Sequence, residues 1–221
     1  MKFKDYALLI SINAVIAGLI ISFVVSNQGK SNQLSVTSEA TKKPEAPQTD
    51  SMDDHHKPKP SNSSVFDGLT GKQAPDFTLE SYDGKKYTLK SLKGKNVILF
   101  FNEGLMCYPA CWNQIAAFGS DTQFNQKNTV VLNINVDNKN DWKDALSKMP
   151  ELAKATVLFD SDRAVSTAYG VMTLPSSMHR GQFPGHTYVI VDKDGIVRFA
   201  RDDSQMAVRN KELLAEVDRL L

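Results

Sequence analysis

The sequence predicts an α/β fold in which helices flank a central mixed sheet, and three consecutive segments carry that prediction. Residues 96–101 form a continuous apolar run, as expected of a strand buried on both faces. Trp112, Ile115 and Phe118 then recur at helical spacing. Residues 129–136 form a second buried strand. Because two buried strands joined by a helix pair in parallel, the segment is interpreted as a βαβ unit.

Two hairpins are predicted on either side of this unit. In each of them, two short segments of alternating or β-branched character flank a turn that contains Asp-Gly, a strong signal for a tight hairpin. In the first hairpin, the strands 77–79 and 86–89 flank a turn at Asp83 and Gly84. In the second, the strands 187–191 and 196–200 flank the turn 193–195.

Three further helices complete the domain. Asp141 is placed to cap a helix from Trp142 to about Met149. Ser161 or Asp162 is placed to cap a second helix, which ends at Gly170. The last helix is predicted from an apolar stripe near the C-terminus. The stripe consists of Met206, Leu213, Val217, Leu220 and Leu221.

The N-terminal segment predicts a membrane anchor. Residues 6–25 contain no charged side chain, and a run of about 20 apolar residues spans a bilayer as a helix. Lys2 and Lys4 favour a cytoplasmic location for residues 1–5, which would leave the rest of the chain on the extracytoplasmic side of the cell membrane. A cleaved signal peptide remains the alternative.

Residues 26–64 are interpreted as a disordered linker, and residues 65–221 as the folded domain. The linker is rich in Ser, Thr, Lys, Gln and Pro, a composition that buries too little apolar surface to offset the entropy of ordering. The chain of 221 residues has 26 basic and 25 acidic side chains, so no strong field would attract nucleic acid.

The two cysteines of the chain, Cys107 and Cys111, are the candidate catalytic residues. They lie four residues apart, directly after the strand 96–101 and at the start of the following helix. A helix N-terminus favours the thiolate, which is the reactive form of cysteine. Two cysteines are too few for a disulfide scaffold, so the pair is interpreted as a reactive pair rather than a structural one. No cofactor or metal is assigned to it.

The order of elements resembles the thioredoxin fold with an additional N-terminal hairpin. Several stretches, which together span most of residues 69–201, resemble the AhpC/TSA or redoxin domain of the peroxiredoxin superfamily. The resemblance implies a thiol oxidoreductase that exchanges dithiol for disulfide with a redox partner protein, with hydroperoxides among its oxidants. The matching stretches are 71–79, 83–85, 92–95, 158–163, 168–171 and 187–195.

The roles of the two cysteines stay open at this point. In the thioredoxin-like interpretation the more exposed Cys107 exchanges with the partner and Cys111 resolves the mixed disulfide, although the reverse order is also compatible with the sequence. If Cys111 is matched instead to the peroxidatic cysteine of the Pro-x-x-x-Thr/Ser-x-x-Cys loop, Gly104 takes the proline position and Tyr108 the hydroxyl position. Arg180 is then the arginine nearest to the expected position.

Two other functions compete with this one. The copper-delivering Sco proteins resemble this chain in their single anchor and Cys-x-x-x-Cys spacing, and that resemblance implies copper ligands at Cys107, Cys111 and His186. The second alternative is a non-catalytic binding module in which both thiols are inert.

Overall fold

A seven-stranded mixed sheet organises residues 59–220, the part of the chain that this computed structural model describes. The strand order is β2-β1-β5-β4-β3-β6-β7. β3 pairs in parallel with β4, and β4 with β5, whereas the other neighbours are antiparallel. The strands are β1 (Thr78–Ser81), β2 (Lys86–Thr88), β3 (Asn96–Phe101), β4 (Thr129–Asn135), β5 (Val157–Phe159), β6 (Thr187–Val191) and β7 (Val197–Asp202).

β3 is the central strand of the fold, and all six of its residues are buried. Successive side chains of a strand point to opposite faces, so this one strand contributes to two apolar layers. Ile98 and Phe100 pack into the layer beneath the helix Ala110–Ser120, whereas Leu99 and Phe101 pack into the layer on the other face of the sheet. The chain therefore leaves β3 from the middle of the molecule, and the cysteines follow at that point.

The helices cover both faces of the sheet. α2 and the C-terminal helix α6 share one apolar layer with Trp142 of α4, and Phe66 of α1 lies in the other. A 3₁₀ turn, Gly104–Met106, separates β3 from α2. The helices are α1 (Ser64–Asp67), α2 (Ala110–Ser120), α3 (Gln123–Gln126), α4 (Trp142–Lys148), α5 (Ala164–Ala168) and α6 (Asn210–Asp218).

The predicted α/β class, the βαβ unit and both hairpins are confirmed. Strand β5 was missed. It has only three residues, Val157–Phe159, and a run of that length carries too little periodicity to distinguish it from a loop. It gains its strand character by pairing with β4 in parallel and with β1 in antiparallel fashion.

Two helix caps and the terminal stripe need correction. Asp141 makes no side-chain cap hydrogen bond, although α4 begins at Trp142 as predicted. At α5 the predicted alternative Asp162 accepts a hydrogen bond from the N–H of Ala164, the first residue of the helix, whereas the Ser161 hydroxyl donates elsewhere. The main cap is Asp160, whose carboxylate accepts hydrogen bonds from the backbone N–H groups of Val165 and Ser166. Met206 packs against the apolar layer from a loop four residues before α6 begins, so it does not belong to the helical stripe.

The predicted membrane anchor, residues 6–25, lies outside the described residues, as does Leu221. Within residues 59–220, none of the helices has the length and apolar character that crossing a membrane requires. The end of the predicted linker does fall inside the described range, where Asn62 exchanges hydrogen bonds with Thr173. The proposed domain boundaries remain predictions.

Replacement of Asp160 by alanine should lower the stability of the domain. The change removes the acceptor from the buried N–H group of Ser166 and from the partly buried N–H group of Val165, so we expect a loss of about 2 kcal/mol. Urea unfolding of the full chain measures it. The matched control is Asp162→Ala, which removes one exposed hydrogen bond to Ala164 and should cost less than about 1 kcal/mol. Equal losses in the two variants would contradict the assignment of Asp160 as the cap.

Candidate redox site

Cys107 and Cys111 are joined by a disulfide at the junction between β3 and α2. Their Cα atoms lie 5.3 Å apart, and the N–H of Cys111 donates a 2.9 Å hydrogen bond to the carbonyl oxygen of Cys107. The bond closes the turn 107–111 that leads into α2, so Cys107 lies three residues before the first residue of the helix and Cys111 is the second residue of the helix. Both side chains are buried, Cys107 with 4% and Cys111 with 0% of its surface exposed.

The loop that leads to Cys107 is held by side chains at the carboxyl ends of β3 and β4. The N–H of Gly104 donates to Asn102 Oδ1 at 2.9 Å, and the N–H of Leu105 donates to Asp137 Oδ2 at 2.9 Å. The indole N–H of Trp112 donates to the Gly104 carbonyl oxygen at 3.1 Å. Gly104 has a φ of +58°, and a Cβ there would overlap the Asp137 carboxylate. Only glycine fits this position.

Burial raises the pKa of Asp137 to about 6, and the negative charge of Asp141 adds to the rise. The hydrogen bond from the Leu105 N–H opposes the rise because it stabilises the charged form. The carboxyl group of Asp137 therefore changes its charge in a mildly acidic range while it holds the loop before Cys107.

His186 brings an imidazole to the sulfur of Cys111. It directly precedes β6 and is fully buried, with Nδ1 at 3.5 Å from Cys111 Sγ and Nε2 at 2.8 Å from the Tyr188 hydroxyl. The Tyr188 hydroxyl donates to Gln114 Oε1 at 2.9 Å, which leaves its oxygen to accept a hydrogen bond from the N–H group at His186 Nε2. These partners assign the proton to Nε2, so the unprotonated Nδ1 faces the sulfur.

Burial lowers the pKa of His186 to about 4, against the opposing charge of Asp203. The positive charge of Arg209 lowers it further. The imidazole is therefore neutral at physiological pH, and its Nδ1 lone pair is available to a thiol proton or to a metal ion.

The structure brings together three of the residues singled out by the sequence. One ligand atom from each of Cys107, Cys111 and His186 lies within 4.8 Å of the other two, and all three side chains are buried. Two thiolates and an imidazole form a soft donor set, which suits Cu(I) when the disulfide is reduced. The hydrogen bond from His186 to Tyr188 would orient the imidazole in the way that outer partners orient metal-bound histidines.

Arg180 and Tyr108, the residues that the peroxiredoxin-type match requires, are not placed as that match implies. The Arg180 guanidinium donates to the carbonyl oxygens of Lys59 and Ser177, at 2.8 and 3.2 Å. The Tyr108 ring packs edge-on against Trp112 and is 69% exposed. The side chain that contacts Cys111 is that of His186 instead.

Glu103 is a buried site residue that the sequence analysis missed. Its carboxylate accepts hydrogen bonds from the Ser177 hydroxyl and from the N–H groups of Met178 and His179, at 2.7–3.1 Å. His179 Nδ1 lies 3.1 Å from its second oxygen. A charged residue two positions after the apolar run 97–101 was the available signal, because such a residue needs partners if it is buried. Glu103 thereby ties the cysteine loop to the segment 175–184.

The chain is similar in sequence to known proteins. The sequence model of the AhpC/TSA family matches residues 70–200. The chain is 32% identical over 150 residues to the chloroplastic peroxiredoxin Q of Populus jackii, an alignment that covers 63% of this chain and 65% of that protein. With the chloroplastic peroxiredoxin Q of Sedum lineare it shares 32% identity over 143 residues, covering 62% and 70%.

Solved structures show the same fold. The mitochondrial 2-Cys peroxiredoxin of Plasmodium falciparum superposes with a TM-score of 0.58 at 24% identity, over 68% of this chain and 93% of that one. A structural similarity at this level of sequence identity supports the thioredoxin-like architecture alone. It does not support the assignment of roles to the residues of the site. The alignment with the Populus jackii protein spans slightly less than two thirds of that protein's length.

Proposed function

The chain belongs to the AhpC/TSA family, and from this premise we propose that it is a thiol oxidoreductase that cycles Cys107 and Cys111 between dithiol and disulfide. The observation that supports the proposal most directly is the disulfide itself, which joins the loop before α2 to the second residue of that helix. Neither strand β3 nor helix α2 has to unfold for the pair to be oxidised. A cysteine pair that is oxidised without unfolding of its neighbours is suited to repeated thiol–disulfide exchange.

The burial of the two sulfurs suggests an order of events. Cys107 is the more exposed of the two, so a partner thiolate attacks Cys107 Sγ and breaks the bond to Cys111. Cys111 leaves as a thiolate and takes up a proton, with His186 Nδ1 placed to accept the hydrogen bond of the new thiol. A second partner thiolate then attacks the partner's own sulfur and releases Cys107. The partner becomes a disulfide, and the pair gains two electrons and two protons.

A hydroperoxide can return the pair to the disulfide. A thiolate attacks the terminal peroxide oxygen, the O–O bond breaks, and an alcohol or water leaves while the sulfur becomes a sulfenic acid. The other thiol displaces water from that sulfenic acid and forms the disulfide. The names of the peroxiredoxin relatives support this oxidant. Arg180 donates its hydrogen bonds to the backbone carbonyl oxygens of Lys59 and Ser177, so we expect slower peroxide reduction than a site with an arginine bonded at the thiolate would give.

Peroxide consumption by the reduced full chain tests the proposal. In stopped-flow experiments with dithiothreitol as donor we expect turnover by the wild type, and mass spectrometry should show the loss of two hydrogen atoms as the disulfide forms. Neither Cys107→Ser nor Cys111→Ser can form the intramolecular disulfide. The variant that lacks the cysteine that attacks peroxide should lose at least about 100-fold in turnover, whereas the other should keep turnover because dithiothreitol reduces the sulfenic acid directly. The double variant supplies the baseline. A wild type that neither consumes peroxide nor forms the Cys107–Cys111 disulfide would leave the inert binding module as the better interpretation.

We further propose that residues 6–25 tether the domain to the extracytoplasmic face of the cell membrane. The uncharged run and the preceding Lys2 and Lys4 support this location. In cells that express the chain, it should stay with membranes washed in alkaline carbonate, and deletion of 6–25 should release it. Protease added outside the membrane should degrade the domain. Extraction of the intact chain by carbonate would argue against the anchor.

A second candidate function, binding of Cu(I), is favoured by the donor set of Cys107, Cys111 and His186. The reduced pair would supply two thiolates and His186 the imidazole nitrogen, in a site that excludes water because all three side chains are buried. Oxidation to the disulfide would remove two of the three ligands, so copper binding and thiol exchange would compete for the same residues.

Titration of the reduced full chain with Cu(I) against a chromophoric chelator separates this function from the first. We expect one Cu(I) per chain, no binding by the oxidised chain, and an affinity at least about tenfold lower in His186→Ala. The matched control is His179→Ala, because His179 contacts Glu103 and is not one of the three donors. Unchanged affinity in His186→Ala would exclude the imidazole as a ligand.

A further inference from the structure

Two methionines and one histidine are exposed on the cysteine loop and on the segment 175–184, which Glu103 ties to that loop. Met106 directly precedes Cys107 and is 55% exposed, and Met178 is 56% exposed. The side chain of His179 is 38% exposed. Thioether sulfur is a soft donor that selects Cu(I), and imidazole nitrogen also suits copper. All three exposed side chains therefore carry an atom that binds this ion.

All three residues are attached to Glu103. The N–H of Met106 donates to the Glu103 carbonyl oxygen at 3.3 Å, and the N–H of Met178 donates to the carboxylate Oε1 at 2.7 Å. His179 Nδ1 lies 3.1 Å from Oε2 of the same carboxylate. The main chain at both methionines is thus fixed to one buried residue, whereas a methionine side chain rotates about three bonds. The two thioethers can therefore turn toward the imidazole.

The contact with Glu103 prepares the imidazole of His179 for a metal ion. An ionised carboxylate only accepts hydrogen bonds, so Nδ1 carries the proton and Nε2 carries the lone pair. Glu103 itself is 1% exposed, so the carboxylate orients the ring from inside the protein. A buried carboxylate that holds one ring nitrogen while the other faces outward is the usual arrangement behind a metal-binding histidine.

Charges of both signs border the segment 175–184, so charge does not select the ion. Asp202 accepts a 3.1 Å hydrogen bond from the N–H of Ser176. Arg180 donates to two backbone carbonyl oxygens. Selection comes instead from the softness of the donors, because two thioethers with one imidazole favour Cu(I) over hard divalent ions, which prefer oxygen ligands.

We propose that Met106, Met178 and His179 form an outer Cu(I) site that receives the ion and passes it to Cys107 and the buried donors behind it. This inference rests on the proposed Cu(I) binding and adds the route of entry. The inner donors Cys107, Cys111 and His186 are all buried, so the ion needs exposed ligands to leave the solvent. Met106 is adjacent to Cys107 in the chain, which places the last outer ligand beside the first inner one.

The transfer is a stepwise exchange of ligands with no change in the oxidation state of copper. A Cu–thioether bond breaks as a Cu–thiolate bond forms, and each cysteine thiol releases its proton to solvent as it binds the ion. The outer site lacks thiolates and is therefore the weaker of the two. The chelator of the equilibrium titration empties it, so one Cu(I) per reduced chain remains the expected stoichiometry.

Silver titration of the oxidised full chain tests the outer site alone. Ag(I) has the closed shell of Cu(I) and does not reduce the disulfide, and the oxidised chain offers no thiol because its two cysteines are paired. The methionine methyl groups are isotope-labelled and followed by NMR in chloride-free buffer with silver nitrate. We expect the Met106 and Met178 signals to shift together and saturate at one Ag(I), while those of Met149 and Met172 stay in place. His179→Ala should weaken this binding at least about tenfold.

Transfer kinetics test the passage to the inner site. The reduced full chain is mixed without oxygen in a stopped-flow instrument with the Cu(I) complex of a chromophoric chelator, and the decay of the complex gives the rate. The double variant Met106→Leu/Met178→Leu should accept Cu(I) at least about tenfold more slowly, with its equilibrium affinity unchanged. His179→Ala should also slow transfer and leave that affinity unchanged. The matched control Met149→Leu alters a partly buried methionine elsewhere and should leave the rate unchanged.

Failure of the outer site is distinguishable from failure of the inner one, because the silver titration uses no thiol. Absent or independent shifts of Met106 and Met178, with Cu(I) still bound by the reduced wild type, would overturn the outer site alone. An unchanged transfer rate in the double variant, or a loss of affinity equal to its loss of rate, would overturn the passage. A reduced wild type that binds no Cu(I) would overturn the inner site and the transfer with it.

Discussion

The whole site depends on one constraint: the chain leaves β3 in the interior of the protein, where every backbone N–H needs an acceptor. The side chains of Asn102 and Asp137 accept hydrogen bonds from the N–H groups of Gly104 and Leu105, and these bonds fix the turn that leads to Cys107. Glu103, which lies between Asn102 and Gly104 in the sequence, binds the segment 175–184 through its carboxylate. The polar side chains at the carboxyl end of the sheet therefore position the disulfide, its apolar surroundings and the approach of a partner.

Strand pairing brings the remaining group to the pair. β3 and β6 are antiparallel neighbours, and Phe101 lies opposite Thr187, so His186 reaches the same end of the sheet as the cysteine loop. Burial lowers the pKa of His186 and so keeps the imidazole neutral, and the hydrogen bond between Nε2 and the Tyr188 hydroxyl directs Nδ1 toward Cys111. Burial also raises the pKa of Tyr188, so its hydroxyl stays protonated and can keep this role. A buried thiol beside a neutral imidazole is compatible with both thiol exchange and Cu(I) binding, and the oxidation state of the pair would decide between them.

Local patterns in the sequence were sufficient for the βαβ unit and the hairpins, because apolar periodicity and Asp-Gly turns act over a few residues. They did not reveal β5, whose three residues become a strand only through their neighbours. The cysteine pair was also predicted, since both members lie in one short segment. The contact of His186 with Cys111 and the burial of Glu103 depend on pairing between residues about 75 positions apart. No short-range pattern encodes such a register.

The central claim, that Cys107 and Cys111 form a reversible redox pair, is tested most directly by a redox equilibrium. The full chain is equilibrated with mixtures of reduced and oxidised dithiothreitol, free thiols are trapped by alkylation, and the adducts are counted by mass spectrometry. We expect one reversible two-electron transition in which each chain carries either no adduct or two, approached identically from the oxidised and the reduced side. A dominant population with a single adduct, or a pair whose state does not follow the dithiothreitol ratio, would contradict the claim.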